Sequence, residues 1–132
     1  MKACDLTAGQ RLTLDSLKIL SSDIERYNEV TSAPRIVTDG LELVPPTLLV
    51  AQAFRRLMEM VELPDGTIHL GQDIEVLCPV GVDRWVDIEA VVNRASIRQG
   101  QLFLFIELWL RVQGVPTVRA VTSVVAPGAA SS

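Results

Sequence analysis

Residues 44–61, VPPTLLVAQAFRRLMEMV, predict a helix that is apolar on nearly every side. Four of its positions are clearly polar: Gln52, Arg55, Arg56 and Glu59. A helix with so few polar positions needs cover from other elements over most of its surface. Prolines 45 and 46 suit a first helical turn, where the missing N–H costs least, and the Pro-Asp-Gly sequence at 64–66 ends the helix. We therefore expect a buried core helix.

The chain after residue 66 alternates apolar and polar positions between turn residues, a pattern typical of strands. The predicted strands cover residues 68–77, 84–94, 101–112 and 115–126. In the first of them, strict alternation places His69 on the polar face with Asp73 and Glu75. The sequence thus predicts the α+β class, with one antiparallel sheet wrapped around a long central helix.

The chain before residue 44 is less regular. Residues 11–19 predict an irregular leading strand, and residues 21–30 a short helix with a Ser22–Glu25 capping box. An inward stripe on that helix would consist of Ile24, Tyr27 and Val30. Residues 31–43 mix Pro, Gly and Asp with short apolar pieces, which favours an ordered loop of the kind that carries functional sites.

Length and composition limit the class of protein. A chain of 132 residues with 48% hydrophobic content is long enough for one domain with its own core, assigned here to residues 1–126, followed by a small-residue tail at 127–132. The net charge of -4 argues against nucleic-acid binding. Without an apolar run of membrane-spanning length or a signal-peptide pattern, we expect a cytoplasmic protein. Cys4 and Cys78 are predicted free thiols, Cys78 a small core residue, and no metal-type cluster is visible.

The second face of the predicted sheet is also partly apolar, because Phe103, Phe105 and Trp109 alternate with the core positions of their strand. A solvated sheet face does not normally carry three such residues. We therefore expect a partner, and a dimer is the simplest one.

The order of these segments resembles the MaoC-like family of hydratases and dehydratases, which have the hotdog fold and act on acyl thioesters of coenzyme A or acyl carrier protein. The segments that carry the resemblance begin with AGQ at 8–10, ILSSDIERYNEV at 19–30 and VPPTLLVAQAF at 44–54. The later ones are GTIHLGQDIEVLCPVGVDRWVDIEAVV at 66–92 and GQLFLFIELWLRVQGVPTVRAVTSVV at 100–125. The resemblance implies paired hotdog subunits, a place in fatty acid or polyketide metabolism, and a thioester that is substrate, with no bound cofactor. It also offers a second explanation for the three aromatic residues, as the lining of an acyl tunnel.

The family's catalytic aspartate and histidine are missing from their expected positions. When the family motif is laid without gaps on Tyr27, Ala33 falls at the aspartate and Thr38 at the histidine. Neither side chain can transfer a proton at neutral pH. Asp39 lies one residue further on, and His69 is the one histidine in the sequence, so these two are the candidates for a rewired catalytic pair. The alternatives are an Asp-Gly turn for Asp39 and a solvated or interface role for His69.

The start of the core helix also departs from the catalytic type. The sequence Val44-Pro45-Pro46-Thr47 resembles the Ala-Pro-Pro-Thr start of the family's other half, which gives room to the acyl chain while a partner does the chemistry. The resemblance thereby implies substrate contacts from Tyr27, Pro46, Thr47 and Leu48. The amides of Thr47 and Leu48, free of acceptors in a first turn, could meet a thioester carbonyl.

Three hypotheses follow. The first is a catalytically depleted subunit that binds an acyl thioester and pairs with an active hotdog chain. The second is a stand-alone enzyme, a dehydratase, isomerase, cyclase or thioesterase that uses Asp39 and His69. The third is a homodimer without enzymatic activity that binds a hydrophobic molecule between helix and sheet. The sequence leaves homodimer and heterodimer equally open.

Overall fold

A computed structural model describes residues 1–32 and 35–127 of the chain. After a 3-10 turn at Ala3–Asp5, the elements are β1 (Arg11–Lys18), α1 (Ser21–Thr31), β2 (Ile36–Thr38), β3 (Leu41–Leu43), α2 (Pro46–Met60), β4 (Ile68–Val76), β5 (Trp85–Arg98), β6 (Gln101–Val112) and β7 (Val115–Pro127). The predicted α+β class is confirmed. The end of β7 coincides with the end of the described chain, so the predicted tail beyond it, 128–132, lies outside the described residues.

The main sheet has five antiparallel strands in the order β1-β5-β6-β7-β4. Its inner face holds α2, whose residues Leu49, Val50, Ala53 and Leu57 are each at most 1% exposed. The predicted core helix is therefore confirmed. The helix is buried because alternate residues on β5, β6 and β7 form a long apolar row. Packing of this row on α2 removes a large apolar surface area from water. No helix in the described residues is long and apolar enough to cross a membrane.

Helix α1 begins two residues earlier than the predicted capping box requires. Leu20 is the N-cap, and its backbone N–H donates to the carboxylate of Asp23 at 2.8 Å, so the predicted Ser22–Glu25 box is wrong. The inward stripe is also shorter than predicted. Ile24 is fully buried and Tyr27 is half-buried, but Val30 is 86% exposed and α1 ends one residue later, at Thr31.

The segment predicted as a loop contains a small hairpin. Strands β2 and β3 pair with each other through Ile36–Leu43 and Thr38–Leu41, and their sheet is separate from the main one. Backbone hydrogen bonds attach the hairpin to the segment after β4, with the amide of Val82 donating to the carbonyl of Glu42 at 3.0 Å. The approach is close, since a Cβ at Gly81 would come within 2.6 Å of a methyl carbon of Leu41. Glycine at this position allows the hairpin to pack closely against the segment after β4.

A β-bulge in β4 changes the predicted faces of that strand. His69 pairs with Val124 and Gly71 pairs with Ser123, so Leu70 is the extra residue. Directly opposed residues share a sheet face, and Val124 belongs to the core. His69 therefore faces α2, and its predicted position on the polar face with Asp73 and Glu75 is wrong. A single inserted residue moves every side chain beyond it to the other face.

Charged and aromatic residues on the outer face of the main sheet form a network of hydrogen bonds and cation–π contacts. Glu107 accepts hydrogen bonds from Arg119 at 2.8 Å and Asn93 at 3.1 Å, and also from the indole N–H of Trp109. Arg111 and Arg119 flank the Trp109 ring, with guanidinium-to-centroid distances of 5.4 and 5.7 Å. These hydrogen bonds lower the pKa of the Glu107 carboxyl below its usual value, and the largest contribution comes from Arg119, followed by Asn93 and Trp109.

Candidate functional site

An apolar cavity of about 170 Å³ lies beside the first turn of α2. Four parts of the chain contribute to its walls: the β2–β3 hairpin, the start of α2, the end of β4 with the segment that follows it, and β7. The lining residues are Ile36, Leu43, Val44, Pro45, Pro46, Leu49, Val76, Cys78, Pro79, Val80 and Val118. All of these side chains are hydrocarbon except the Cys78 thiol, so the space suits a nonpolar group.

Two of the predicted substrate-binding residues meet next to this cavity. The hydroxyls of Tyr27 and Thr47 share a short hydrogen bond that joins α1 to the first turn of α2. Thr47 is exposed and Tyr27 half-buried, so the pair remains open to solvent. In such a pair one hydroxyl donates to the other, and the accepting hydroxyl keeps its own proton free for a third group.

The first turn of α2 offers fewer free amides than predicted. The Leu48 amide donates to the carbonyl of Pro45 at 3.0 Å, and the Leu49 amide donates to the same oxygen at 3.2 Å. The expectation of a free Leu48 amide is therefore wrong. Thr47 keeps an N–H without a hydrogen-bond acceptor in the described part of the chain. Pro46 lines the cavity, and the side chain of Leu48 is buried.

An ion-pair network fixes the hairpin that forms one cavity wall. The Arg35 guanidinium donates to Glu42 in a short ion pair and also contacts Glu25 at 3.2 Å and Ser21 at 2.8 Å. Ser21 donates to Glu42 at 2.6 Å. The hydrogen bond from Arg35, followed by that from Ser21, lowers the pKa of the Glu42 carboxyl. Arg35 lies at the surface, and β3 brings Glu42 beside it.

Asp39 and His69, the predicted catalytic pair, belong to different sheets. Asp39 and Gly40 have φ angles of +53° and +75° at the two central positions of the β2–β3 turn, which confirms the Asp-Gly turn. The His69 ring stacks on Phe54 of α2 with centroids 5.6 Å apart. Within the described residues no hydrogen bond or ion pair joins Asp39 to His69. Their catalytic roles remain predictions, and the Ala33 position lies outside the described residues.

Several residues that line the cavity were not predicted from the sequence. Cys78 was expected in the core, but it is exposed and borders the cavity. Ile36 and Leu43 looked like scattered apolar residues of a loop, and the signal that could have found them is the Asp-Gly pair between two short apolar triplets. Phe103, Phe105 and Trp109 alternate with the core residues of β6, so they lie on the outer face and do not line this cavity.

The described residues contain no group of three or more His, Cys, Asp or Glu side chains that could hold a metal ion. Cys4 and Cys78 are both free and exposed. The chemistry available at the cavity itself is therefore hydrophobic contact, the hydroxyls of Tyr27 and Thr47, one backbone amide and one thiol.

The arrangement of the strands and the core helix matches solved structures over almost the whole chain. The (R)-hydratase from A. caviae involved in PHA biosynthesis has a TM-score of 0.76 at 21% identity, covering 95% of this chain and 100% of that one. The MaoC-like dehydratase from Rhodospirillum rubrum gives 0.77 at 17% identity, with 94% of each chain covered. This protein has the hotdog fold of the MaoC-like proteins.

A third match with the MaoC-like fold comes from a two-protein complex. The HadBC (3R-hydroxyacyl-ACP dehydratase) complex from Mycobacterium tuberculosis gives a TM-score of 0.79 at 11% identity, covering 93% of this chain and 99% of that one. No protein-family model matches the sequence, and a comparison with curated proteins finds no match. The predicted resemblance to MaoC-like proteins is thus confirmed as a likeness of fold.

Proposed function

We propose that this protein binds an acyl thioester of coenzyme A or acyl carrier protein as a MaoC-like hotdog subunit. The observation that carries the proposal is the apolar cavity directly beside the first turn of α2. An acyl chain would occupy the cavity, and its thioester carbonyl would lie at the helix N-terminus. The thioester is then a substrate or ligand on its carrier, and the protein needs no bound cofactor for this role.

The first turn of α2 has the groups that a thioester carbonyl requires. The free Thr47 amide and the positive end of the helix dipole both favour a partly negative oxygen. The Tyr27–Thr47 hydroxyl pair supplies a further proton for a hydrogen bond to the same oxygen. These donors polarise a carbonyl, but a phenol and an alcohol do not take up a proton near neutral pH.

A partner would supply the missing acid–base chemistry. Thr38 stands at the expected histidine position in β2, and it cannot act as a general base. Strand β4 is at the edge of the main sheet and exposes Ile68 and Leu70, at 59% and 56%. Such an edge pairs readily with another strand. We propose that a second hotdog chain adds to β4 in the cytoplasm. A second copy of this chain would complete the dimer, but only a different chain that carries the family's aspartate and histidine would supply the acid–base pair.

Binding can be measured by calorimetry with butyryl-pantetheine, because pantetheine is the arm shared by both carriers. We expect Thr47→Val to weaken binding by about tenfold, the effect of one lost hydrogen bond to a buried oxygen. Thr13→Val, at an exposed position on β1, is the matched control and should bind normally. Absence of binding, or equal binding of free butyrate, would overturn the proposal.

Catalysis is tested by hydration of crotonyl-CoA, first with the protein alone and then with any hotdog chain that copurifies from its host. We expect activity in the complex and none in the isolated protein. Activity of the isolated protein that is lost in both Asp39→Asn and His69→Gln would instead establish the rewired pair.

A further inference from the structure

We infer that the cavity selects a short, wholly aliphatic acyl group of about four to six carbons, and that Leu49 and Val80 set its upper limit. The size follows from the volume of about 170 Å³. An apolar protein cavity of about 150 Å³ holds one benzene molecule, which has six carbons. This inference rests on the proposed acyl-thioester binding and adds the class of acyl group.

The cavity has an open side and a closed side. Ile36 on the hairpin and Val76 on β4 are 53% and 50% exposed, so the opening lies between these two elements. Leu49, Val80 and Val118 are at most 4% exposed and belong to the hydrophobic core, so they form the closed end. A chain that enters past Ile36 therefore stops against the core and has no exit for further carbons.

The walls around the closed end are stiff. Prolines 45, 46 and 79 each contribute a fixed backbone angle. The Val44 amide donates to the Val80 carbonyl at 2.8 Å, and Leu43 forms a bridge with Gly81. Packed side chains on stiff backbone do not move aside for a longer ligand without lost contacts. Length discrimination should accordingly be sharp.

The lining also excludes polar groups at the end of the acyl chain. Its side chains are hydrocarbon apart from the Cys78 thiol, which is a weak hydrogen-bond partner. A terminal hydroxyl or carboxylate would lose water without gaining a replacement hydrogen bond. The cavity should therefore reject hydroxylated and dicarboxylic acyl groups of the same length.

The test uses the two free thiols as reporters. Cys78 lines the cavity and Cys4 lies in the N-terminal 3-10 turn, so Cys4 serves as an internal reference in the same molecule. The rate of Cys78 alkylation is followed by mass spectrometry against pantetheine thioesters from acetyl to dodecanoyl. We expect the thioester concentration that protects Cys78 to fall about fourfold with each added methylene up to hexanoyl, because each methylene buries further apolar surface. Beyond hexanoyl, this concentration should fall no further. Adipyl-pantetheine should protect at least about tenfold less well than hexanoyl-pantetheine.

Two variants move the limit in opposite directions. Leu49→Ala should extend it by about two to three methylenes, and Val80→Ile should shorten it by about one. Leu57→Ala, at an equally buried position of α2 outside the cavity, controls for general loosening and should leave the limit unchanged.

The outcomes separate the two proposals. Protection that keeps improving up to dodecanoyl, or a limit that Val80→Ile leaves unmoved, overturns the length inference while acyl-thioester binding stands. Failure of every thioester to protect Cys78, with calorimetry also negative, overturns both.

Discussion

Two hairpins in this protein have the same turn geometry and very different support. The turn between β2 and β3 has φ angles of +53° at Asp39 and +75° at Gly40, and the turn between β5 and β6 has +50° at Gln99 and +75° at Gly100. The strands of the β2–β3 hairpin are three residues long, whereas β5 and β6 have 14 and 12 residues. The turn can start a hairpin in both places, but the length of the apolar face decides what stabilises it.

The β5–β6 hairpin is part of the core, while the β2–β3 hairpin is held from outside. Leu104, Leu108 and Leu110 on β6 are fully buried against α2. On the small hairpin, Ile36 and Val37 remain more than half exposed, and its attachments are the Arg35–Glu42 network and the backbone bonds to residues 80–82. The wall that this hairpin forms at the open side of the cavity can therefore change without unfolding the protein, whereas the closed end at Leu49 and Val80 belongs to the core.

The largest effect should come from deleting core volume on the long hairpin. Leu104→Ala should lower the free energy of unfolding by about 2–5 kcal/mol because it leaves a cavity between β6 and α2. Leu41→Ala on the small hairpin should cost less than about 1 kcal/mol, since Leu41 is 38% exposed. Urea denaturation measures both, and equal losses would contradict the distinction between the hairpins.

A smaller and pH-dependent effect is expected on the outer face of the main sheet. Glu107→Gln should lower the free energy of unfolding by about 1 kcal/mol at neutral pH, because Arg119 loses its charged acceptor. The folded-state pKa of Glu107 is depressed, so the native carboxylate stabilises the protein above its ordinary pKa of about 4.3. That contribution disappears as the pH falls through the depressed folded value.

The stability difference between wild type and Glu107→Gln should accordingly shrink as the pH falls and vanish once Glu107 is protonated in the folded protein, because both side chains are then neutral. Glu29→Gln, at an exposed position on α1, is the control and should leave the free energy of unfolding nearly unchanged. A Glu107→Gln difference that is the same at pH 3 and pH 7 would contradict the assigned network.

The smallest effect on global stability should follow the loss of the Arg35 network. Arg35→Gln should leave the melting temperature nearly unchanged, because the arginine is exposed, yet speed amide exchange in β2 and β3. The pKa of Glu42 is lowered by Arg35, so protection of these amides should decrease as the pH falls through the folded-state pKa of Glu42.

Arg11→Gln provides the matched control for this exchange experiment. Arg11 pairs with Glu89 at 3.4 Å on the main sheet and is 71% exposed, so its loss should leave exchange in the small hairpin unchanged. Faster hairpin exchange in both variants, or in neither, would mean that the network does not hold the cavity wall.

The predictability of each element follows the same difference between the hairpins. The first and last residues of β6 agree with the prediction, because its 12 residues alternate regularly and only one assignment places all the apolar residues on one face. The β2–β3 hairpin was missed because three-residue strands give too little pattern to distinguish them from a loop. In β4 the predicted alternation was correct from Gly71 to Val76 but wrong at His69, because no local signal marked Leu70 as the extra residue.

The candidate site was predicted in its residue types and partly in its geometry. The family resemblance named Tyr27 and Thr47, and the structure brings their hydroxyls together. It also suggested a free Leu48 amide, but this amide donates a hydrogen bond to the Pro45 carbonyl. No sequence pattern predicted Cys78 at the cavity, because the alternation of β4 ends before Cys78 and its exposure depends on the turn that follows.

The α+β class, the buried core helix and the long strands follow from the sequence, because each depends on a regular apolar pattern whose burial offsets the entropy of ordering the chain. The cavity, the position of His69 facing α2 and the pairing of Arg35 with Glu42 depend on tertiary contacts. These features arise where short segments from distant parts of the chain meet, and such contacts leave no periodic trace in the sequence.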